Sequence, residues 1–120
     1  MQKKSTLREE KEIIWLGSSF DDLMAFSINV RKDVGYQLHK IQCGLEPEDW
    51  KPFSDVGSGV NEIRMRDTNG IYRVMYLAKF DEAIYVLHSF QKKTQQTSKR
   101  DKDIAKVRYS TLVEQRRYSR

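Results

Sequence analysis

The sequence predicts an α+β domain with a small, mainly antiparallel sheet: a strand, one or two helices, a three-stranded meander and a closing helix. Three observations carry this. Apolar residues recur at helical spacing from Leu23 to Ile41, three β-rich runs follow one another from Val60 to Phe90, and a charged stretch with a helix-start signal closes the chain. A length of 120 residues fits one domain over 1–120, with about 1–10 and 110–120 read as tails.

The first strand reads Lys11 to Leu16 and stops at Gly17. Ser18 or Ser19 then caps a helix whose first turn carries Asp21 and Asp22, favourable at the positive end of the helix dipole. Leu23, Met24, Val30, Val34, Leu38 and Ile41 continue the helical pattern, as one helix or as two broken near Ser27, and Gly44 ends it. Leu45 to Gly59 holds both prolines and reads as an ordered surface loop, with Trp50 as a lid on the core. The meander strands are Val60 to Arg66, Ile71 to Phe80 and Ala83 to Phe90. Asn69-Gly70 between the first two reads as a type I′ hairpin turn. A final helix starts near Ser98, with Asp101 three residues on in the manner of a capping box.

A two-residue Asn69-Gly70 loop would set Arg66 opposite Arg73, Arg64 opposite Met75 and Glu62 opposite Leu77. The other face carries Ile63, Met65, Val74 and Tyr76, the side to bury under helices. A two- or four-residue loop at Asp81-Glu82 would then place Phe90 opposite Arg73 and His88 opposite Met75. An odd loop would turn the last strand over. In the even case Arg64, Arg66, Arg73, His88, Phe90 and Lys92 share one face. Arginines directly opposite each other repel, so the pair asks for an anion: a phosphate, or more plainly a nearby carboxylate such as Glu62 or Glu82. Phe90 among cations suits stacking on an unpaired base, or ordinary packing beside the last helix. His88 suits proton transfer near neutral pH, or a structural role.

Charge is lopsided: residues 1–60 hold 8 Lys/Arg and 10 Asp/Glu, a net of −2, whereas residues 61–120 hold 14 and 7, a net of +7. Such asymmetry favours a polyanionic partner. The lone Cys43 excludes an internal disulfide and reads as helix packing in a reducing compartment. No run approaches the roughly 20 apolar residues of a membrane span. The apolar run Ile13 to Leu16 behind Lys3, Lys4 and Arg8 is too short for a signal peptide, so a cytoplasmic protein without membrane association is expected. Two histidines and one cysteine, with no Cys-x-x-Cys or His-x-x-x-His spacing, give no expected metal site. Gly57-Ser58-Gly59 lacks the lysine and strand–helix context of a phosphate loop.

The string Gly57-Ser58-Gly59-Val60-Asn61-Glu62-Ile63-Arg64-Met65-Arg66-Asp67 resembles the second strand of the HigB-like, phage-derived branch of the RelE/ParE toxin superfamily. Ile71-Tyr72-Arg73-Val74-Met75-Tyr76 is similar to that family's next strand. Tyr85 to Thr94 looks like its last strand and basic exit, and Asp103, Ile104, Ala105 and Tyr109 continue the match. The resemblance covers about Lys11 to Tyr109. It implies a RelE-like fold and the toxin of a type II toxin–antitoxin pair: a metal-independent endoribonuclease without cofactors, cutting mRNA, usually on the ribosome. The implied partners are mRNA, the ribosome and a cognate antitoxin, often of helix-turn-helix type.

By position, Arg73 matches the family's phosphate-binding arginine, Arg64 a basic strand position and Lys93 a basic position after the last strand. The chain departs from the family at Glu62, where some members are basic. It also has Lys99 near where ribosome-dependent members place a tyrosine. The expected catalytic set is Arg73, Lys93 and His88; Arg64, Arg66, Phe90 and Lys92 are expected to bind RNA. The rival readings are a ParE-like gyrase poison that binds protein and a nucleic-acid binder that cuts nothing.

Overall fold

The computed structural model describes residues 10–119. The expected tail over 1–10, and Lys3, Lys4 and Arg8 within it, therefore lie outside the described residues save for Glu10. Strand β1 (Glu12–Trp15) leads into helices α1 (Ser19–Met24) and α2 (Ile28–Gln42). Short strand β2 (Trp50–Pro52) precedes the meander β3 (Val60–Asp67), β4 (Gly70–Leu77) and β5 (Ala83–Lys92), and helix α3 (Lys99–Tyr118) closes the chain. The sheet runs β1-β5-β4-β3-β2, with β1 parallel to β5 and every other pairing antiparallel.

The helical stretch breaks at Ser27, which caps α2. Its Oγ accepts from the Val30 amide at 3.3 Å and donates to Asp67 Oδ2 at 3.1 Å, so one hydroxyl starts the helix and ties it to the β3–β4 turn. At the far end Gly44 takes φ +84°, the left-handed conformation that stops a helix. Ser98 caps α3 as the sequence predicts, its Oγ accepting from the Asp101 amide at 3.1 Å. Of the residues over 110–120, read as a tail, those up to Tyr118 lie in α3. One anchor for it is Arg116, which lies over the Phe80 ring and hydrogen-bonds Glu82.

The β3–β4 turn corrects the predicted register. A type I′ turn needs positive φ at both central residues, yet no non-glycine residue among those described has one. The Asp67 carboxylate accepts from the Asn69 amide at 2.8 Å, so Thr68-Asn69 forms the loop and Gly70, at φ +143°, opens β4. The pairing slides by two residues. Arg64, not Arg66, lies opposite Arg73; Arg66 faces Ile71, and Glu62 faces Met75. A shift of two preserves the faces.

Beyond the β4–β5 turn Leu77 pairs with Tyr85, and a bulge between Met75 and Tyr76 then restores Met75 opposite His88 and Arg73 opposite Phe90, the partners expected from an even loop. The loop expected over Leu45 to Gly59 contains β2. Its Trp50 pairs with Ile63 and its Lys51 with Glu62. Pro52 is tolerated because β2 is an edge strand.

The sheet buries both faces. On one, Ile63, Met65, Val74, Tyr76 and Val86 pack against Val30, Val34, Leu38 and Ile41 of α2. On the other, Val60, Met75, Leu77, Tyr85 and Leu87 pack against Ala105 and Leu112 of α3. Gly57 permits the close approach of α3, since a Cβ there would meet the Tyr109 ring at 2.4 Å. No helix is long and apolar enough to cross a membrane among the described residues.

Ser27→Ala removes both hydroxyl contacts and is expected to cost about 1 kcal/mol, lowering the melting temperature by about 4 °C. An unchanged melting curve would show that the cap carries no stability.

Candidate nucleic-acid interface

The face that packs on α3 is apolar only in part. Across the strands it reads as rows. Val60, Leu77 and Tyr85 form a covered apolar row. The next row is Lys51, Glu62, Met75 and His88, then come Arg64, Arg73 and Phe90, and last Arg66, Ile71 and Lys92. Within a few residues of each strand the surface passes from core to cation.

Two carboxylates offset the repulsion between Arg64 and Arg73. Arg64 donates from Nε to Asp49 Oδ1 at 3.0 Å and brings Nη2 to 2.9 Å of the same oxygen, while its amide donates to the Asp49 carbonyl at 2.9 Å. Arg73 Nε lies 3.3 Å from Glu62 Oε1. Both Arg73 and Glu62 are buried, at 6% and 1% exposure. Their contact misses hydrogen-bond geometry, leaving Arg73 Nε and both Glu62 oxygens without a hydrogen-bond partner among the described residues. Glu82, the other carboxylate expected to help, is taken by Arg116, which holds its carboxyl down at about 2.

Burial pushes the Glu62 carboxyl above its ordinary value, against the pull of Arg73, Lys51, Lys92 and Arg64. Burial likewise lowers Arg73, and it lowers Lys92, which Arg73 presses further in the same direction.

Two clefts open from this face. Around the β3 edge beyond β2, a cleft of about 290 Å³ is lined by Arg64, Arg66 and Arg73 together with Met65, Asp33 and Asp49. Along β5, His88, Phe90, Lys92 and Lys93 line a second cleft of about 530 Å³. The seven residues singled out from the sequence thus divide, three to the first cleft and four to the second, and the Arg73–Phe90 pair joins them.

His88 and Phe90 are less open than the sequence implies, at 4% and 7% exposure, and their rings stack on each other at 4.9 Å. His88 Nε2 lies 2.7 Å from Asp101 Oδ1, and Asp101 Oδ2 accepts from Ser98 Oγ at 2.7 Å. The cap of α3 therefore also orients the histidine. Burial lowers the His88 pKa, and Asp101 opposes the shift only in part. The neutral ring donates from Nε2 to the carboxylate, and its Nδ1 has no partner among the described residues.

Sequence reasoning missed three participants: Asp49 and Lys51 lay in the segment read as a loop, and Asp101 read as a cap alone. Glu62 was read as a neutraliser of the arginines, and it lies beside Arg73. The fold also gathers Glu10, His39 and Cys43 at the end of α2. His39 turns Nδ1 toward Glu10 at 3.5 Å and Nε2 toward Cys43 at 3.7 Å, so one ion could not use both contacts.

The five-stranded, mostly antiparallel open sheet with its C-terminal helix is compatible with a RelE-like fold. The chain belongs to the phage-derived Gp49-like proteins (DUF891), whose family model matches residues 21–110; these are RelE/ParE-like toxins of toxin–antitoxin systems. An antitoxin is the partner this family implies. No curated protein matches the chain.

Glu62 and His88, both buried, act oppositely on stability. A raised Glu62 pKa means the folded state holds its proton more tightly, so that contribution is present below the ordinary 4.5 and is lost as pH rises through the folded value. Glu62→Gln should therefore gain stability relative to the parent as denaturant unfolding is moved from pH 4 to pH 8; a pH-independent difference would contradict the shift. A lowered His88 pKa contributes stability above the ordinary 6.5 that is lost as pH falls through the folded value. In an NMR titration His88 should titrate below 6.5, and lower again in Asp101→Asn. Titration above 6.5 would overturn the assignment.

Proposed function

We propose that the chain is a toxin that cleaves RNA without a metal, at the basic face of its sheet. The observation that carries the reading is the convergence of Arg64, Arg66 and Arg73 from two adjacent strands on one cleft, with Lys92 one strand away. Three guanidiniums so placed suit a phosphate whose negative charge grows during reaction. Family membership supports the same class of activity.

In this reading the RNA supplies its own nucleophile. The 2′-oxygen attacks the adjacent phosphorus, the bond to the 5′-oxygen breaks, and the products end in a 2′,3′-cyclic phosphate and a 5′-hydroxyl. Arg73, with Arg64 and Arg66, stabilises the charge on the phosphoryl oxygens. A phosphate that competes for Arg73 leaves the Glu62 carboxylate among cations and beside the reacting group, where it can accept the 2′-hydroxyl proton. Lys92, made a readier proton donor by burial and by Arg73, and Lys93 beside it protonate the leaving oxygen. His88, neutral and held by Asp101, is assigned instead to the second cleft. The expected substrate is mRNA, on the ribosome, in the cytoplasm, with a helix-turn-helix antitoxin as the inhibitor.

The test incubates the purified protein with a defined mRNA in EDTA, with and without translating ribosomes, and maps the ends. Cleavage leaving cyclic phosphate is expected, and Arg73→Ala should slow it on the order of a hundredfold. Arg66→Ala, at an exposed residue, should slow it in a protein of unchanged stability. Full activity in both folded variants, or no cleavage in either reaction, would contradict the proposal.

A further inference from the structure

Strand β1 covers one side of β5 only from Ala83 to Val86, with a last bond from the Leu16 amide to the Val86 carbonyl at 3.0 Å. From Leu87 onward no strand among the described residues pairs with that side, and the cleft of about 530 Å³ opens there between α1 and the first turns of α3. Its volume falls within the range of small-molecule sites.

Two side chains lining it hold buried polar atoms without partners among the described residues: His88 Nδ1 and Ser89 Oγ, on residues 4% and 2% exposed. Native proteins rarely leave such groups unpaired, and each one needs an explanation. As neighbours on a strand, His88 and Ser89 project to opposite faces, so the two atoms flank the open edge of β5. With Nε2–H directed to Asp101, His88 Nδ1 is an acceptor, while the Ser89 hydroxyl both donates and accepts. Phe26 and Phe90 supply aromatic surface in the same cleft, and Lys92, Lys93 and Arg100 supply positive charge. Of the cleft's two acids, Asp101 is engaged by His88 and Ser98, and Asp22 accepts from Ser18 Oγ at 2.7 Å.

We infer that this cleft is a base-reading subsite, which takes one unpaired nucleobase onto the edge of β5 and its phosphate onto the flanking cations. A planar heterocycle with donors and acceptors on its rim, joined to an anion, matches the unpaired atoms, the aromatic surface and the charge together. The subsite lies one to two strand spacings from Arg73, roughly 5–10 Å, close enough to hold a nucleotide next to a phosphate on the arginines. The inference rests on the RNA reading for its ligand class, but it concerns recognition rather than cleavage.

The test measures binding of four homopolymeric 2′-O-methyl RNA hexamers, which cannot be cleaved through the 2′-oxygen, and of the four mononucleotides. The wild-type protein should prefer one base among the hexamers, with the same order but lower affinity among the mononucleotides. Ser89→Ala, with stability checked by melting, should reduce that preference about five- to tenfold and leave the weakest hexamer unchanged. Arg100→Ala should weaken all four hexamers alike and lower the salt slope by about one.

Binding that is blind to base identity and to Ser89→Ala would overturn the inference and leave the free edge of β5 to a peptide strand. A base preference with no cleavage in the mRNA assay would keep the subsite and remove the ribonuclease. Cleavage with no base preference would do the reverse.

Discussion

The arrangement of the basic face depends on one pair of charges placed where a sheet would ordinarily bury hydrocarbon. Glu62 and Arg73 sit at the boundary between the rows covered by α3 and the rows that are not, 3.3 Å apart and out of hydrogen-bond register. Desolvating two charges costs more than an imperfect contact returns, so the pair is not explained by stability. It fixes a guanidinium on the middle strand of the meander, and in the proposed function a phosphate competes with the carboxylate for it. The neighbouring contacts follow a similar pattern. Arg64 is fixed by Asp49, Lys51 faces Glu62 from β2, and Lys92 stands beyond Ile71 on β5.

Helix α3 divides the face. Its inner side seals the apolar rows through Ala105 and Leu112, and its first turn reaches His88 through Asp101. A further link, Lys102 to Asp55 at 3.6 Å, ties it to the loop before β3. The result is two clefts on either side of the Arg73–Phe90 pair, one cationic and one partly aromatic. A single strand of RNA crossing the sheet would meet both.

Much of this was legible in the sequence because much of it is local. Helical periodicity, the Ser98–Asp101 cap and alternation along β3 and β5 depend on residues a few positions apart. The faces were legible even where the register was not. The Asp67 side chain pulls the turn to Thr68-Asn69, a slip of two that changes Arg73's partner from Arg66 to Arg64 and moves no side chain to the other face. What could not be read was made by distant parts of the chain. Strand β2 is three residues with a proline, and it exists only because β3 offers it an edge. The bulge at Met75/Tyr76 corrects a turn whose parity the sequence leaves open. Glu62 lies beside Lys51 of β2 and His88 beside Asp101 of α3, and no motif within β3, β4 or β5 announces the depth of these two residues or of Arg73.

The most direct test of the central claim is to follow the arginine side-chain Nε–H resonances while a non-cleavable single-stranded RNA is titrated into the protein. If the basic face is the RNA site, the resonances of Arg64, Arg66 and Arg73 move together and saturate at one affinity, with Arg73 shifting as a phosphate competes with Glu62. If those three stay fixed while Arg116 and Arg117 at the far end of α3 respond, the RNA binds elsewhere and the account of this face is wrong.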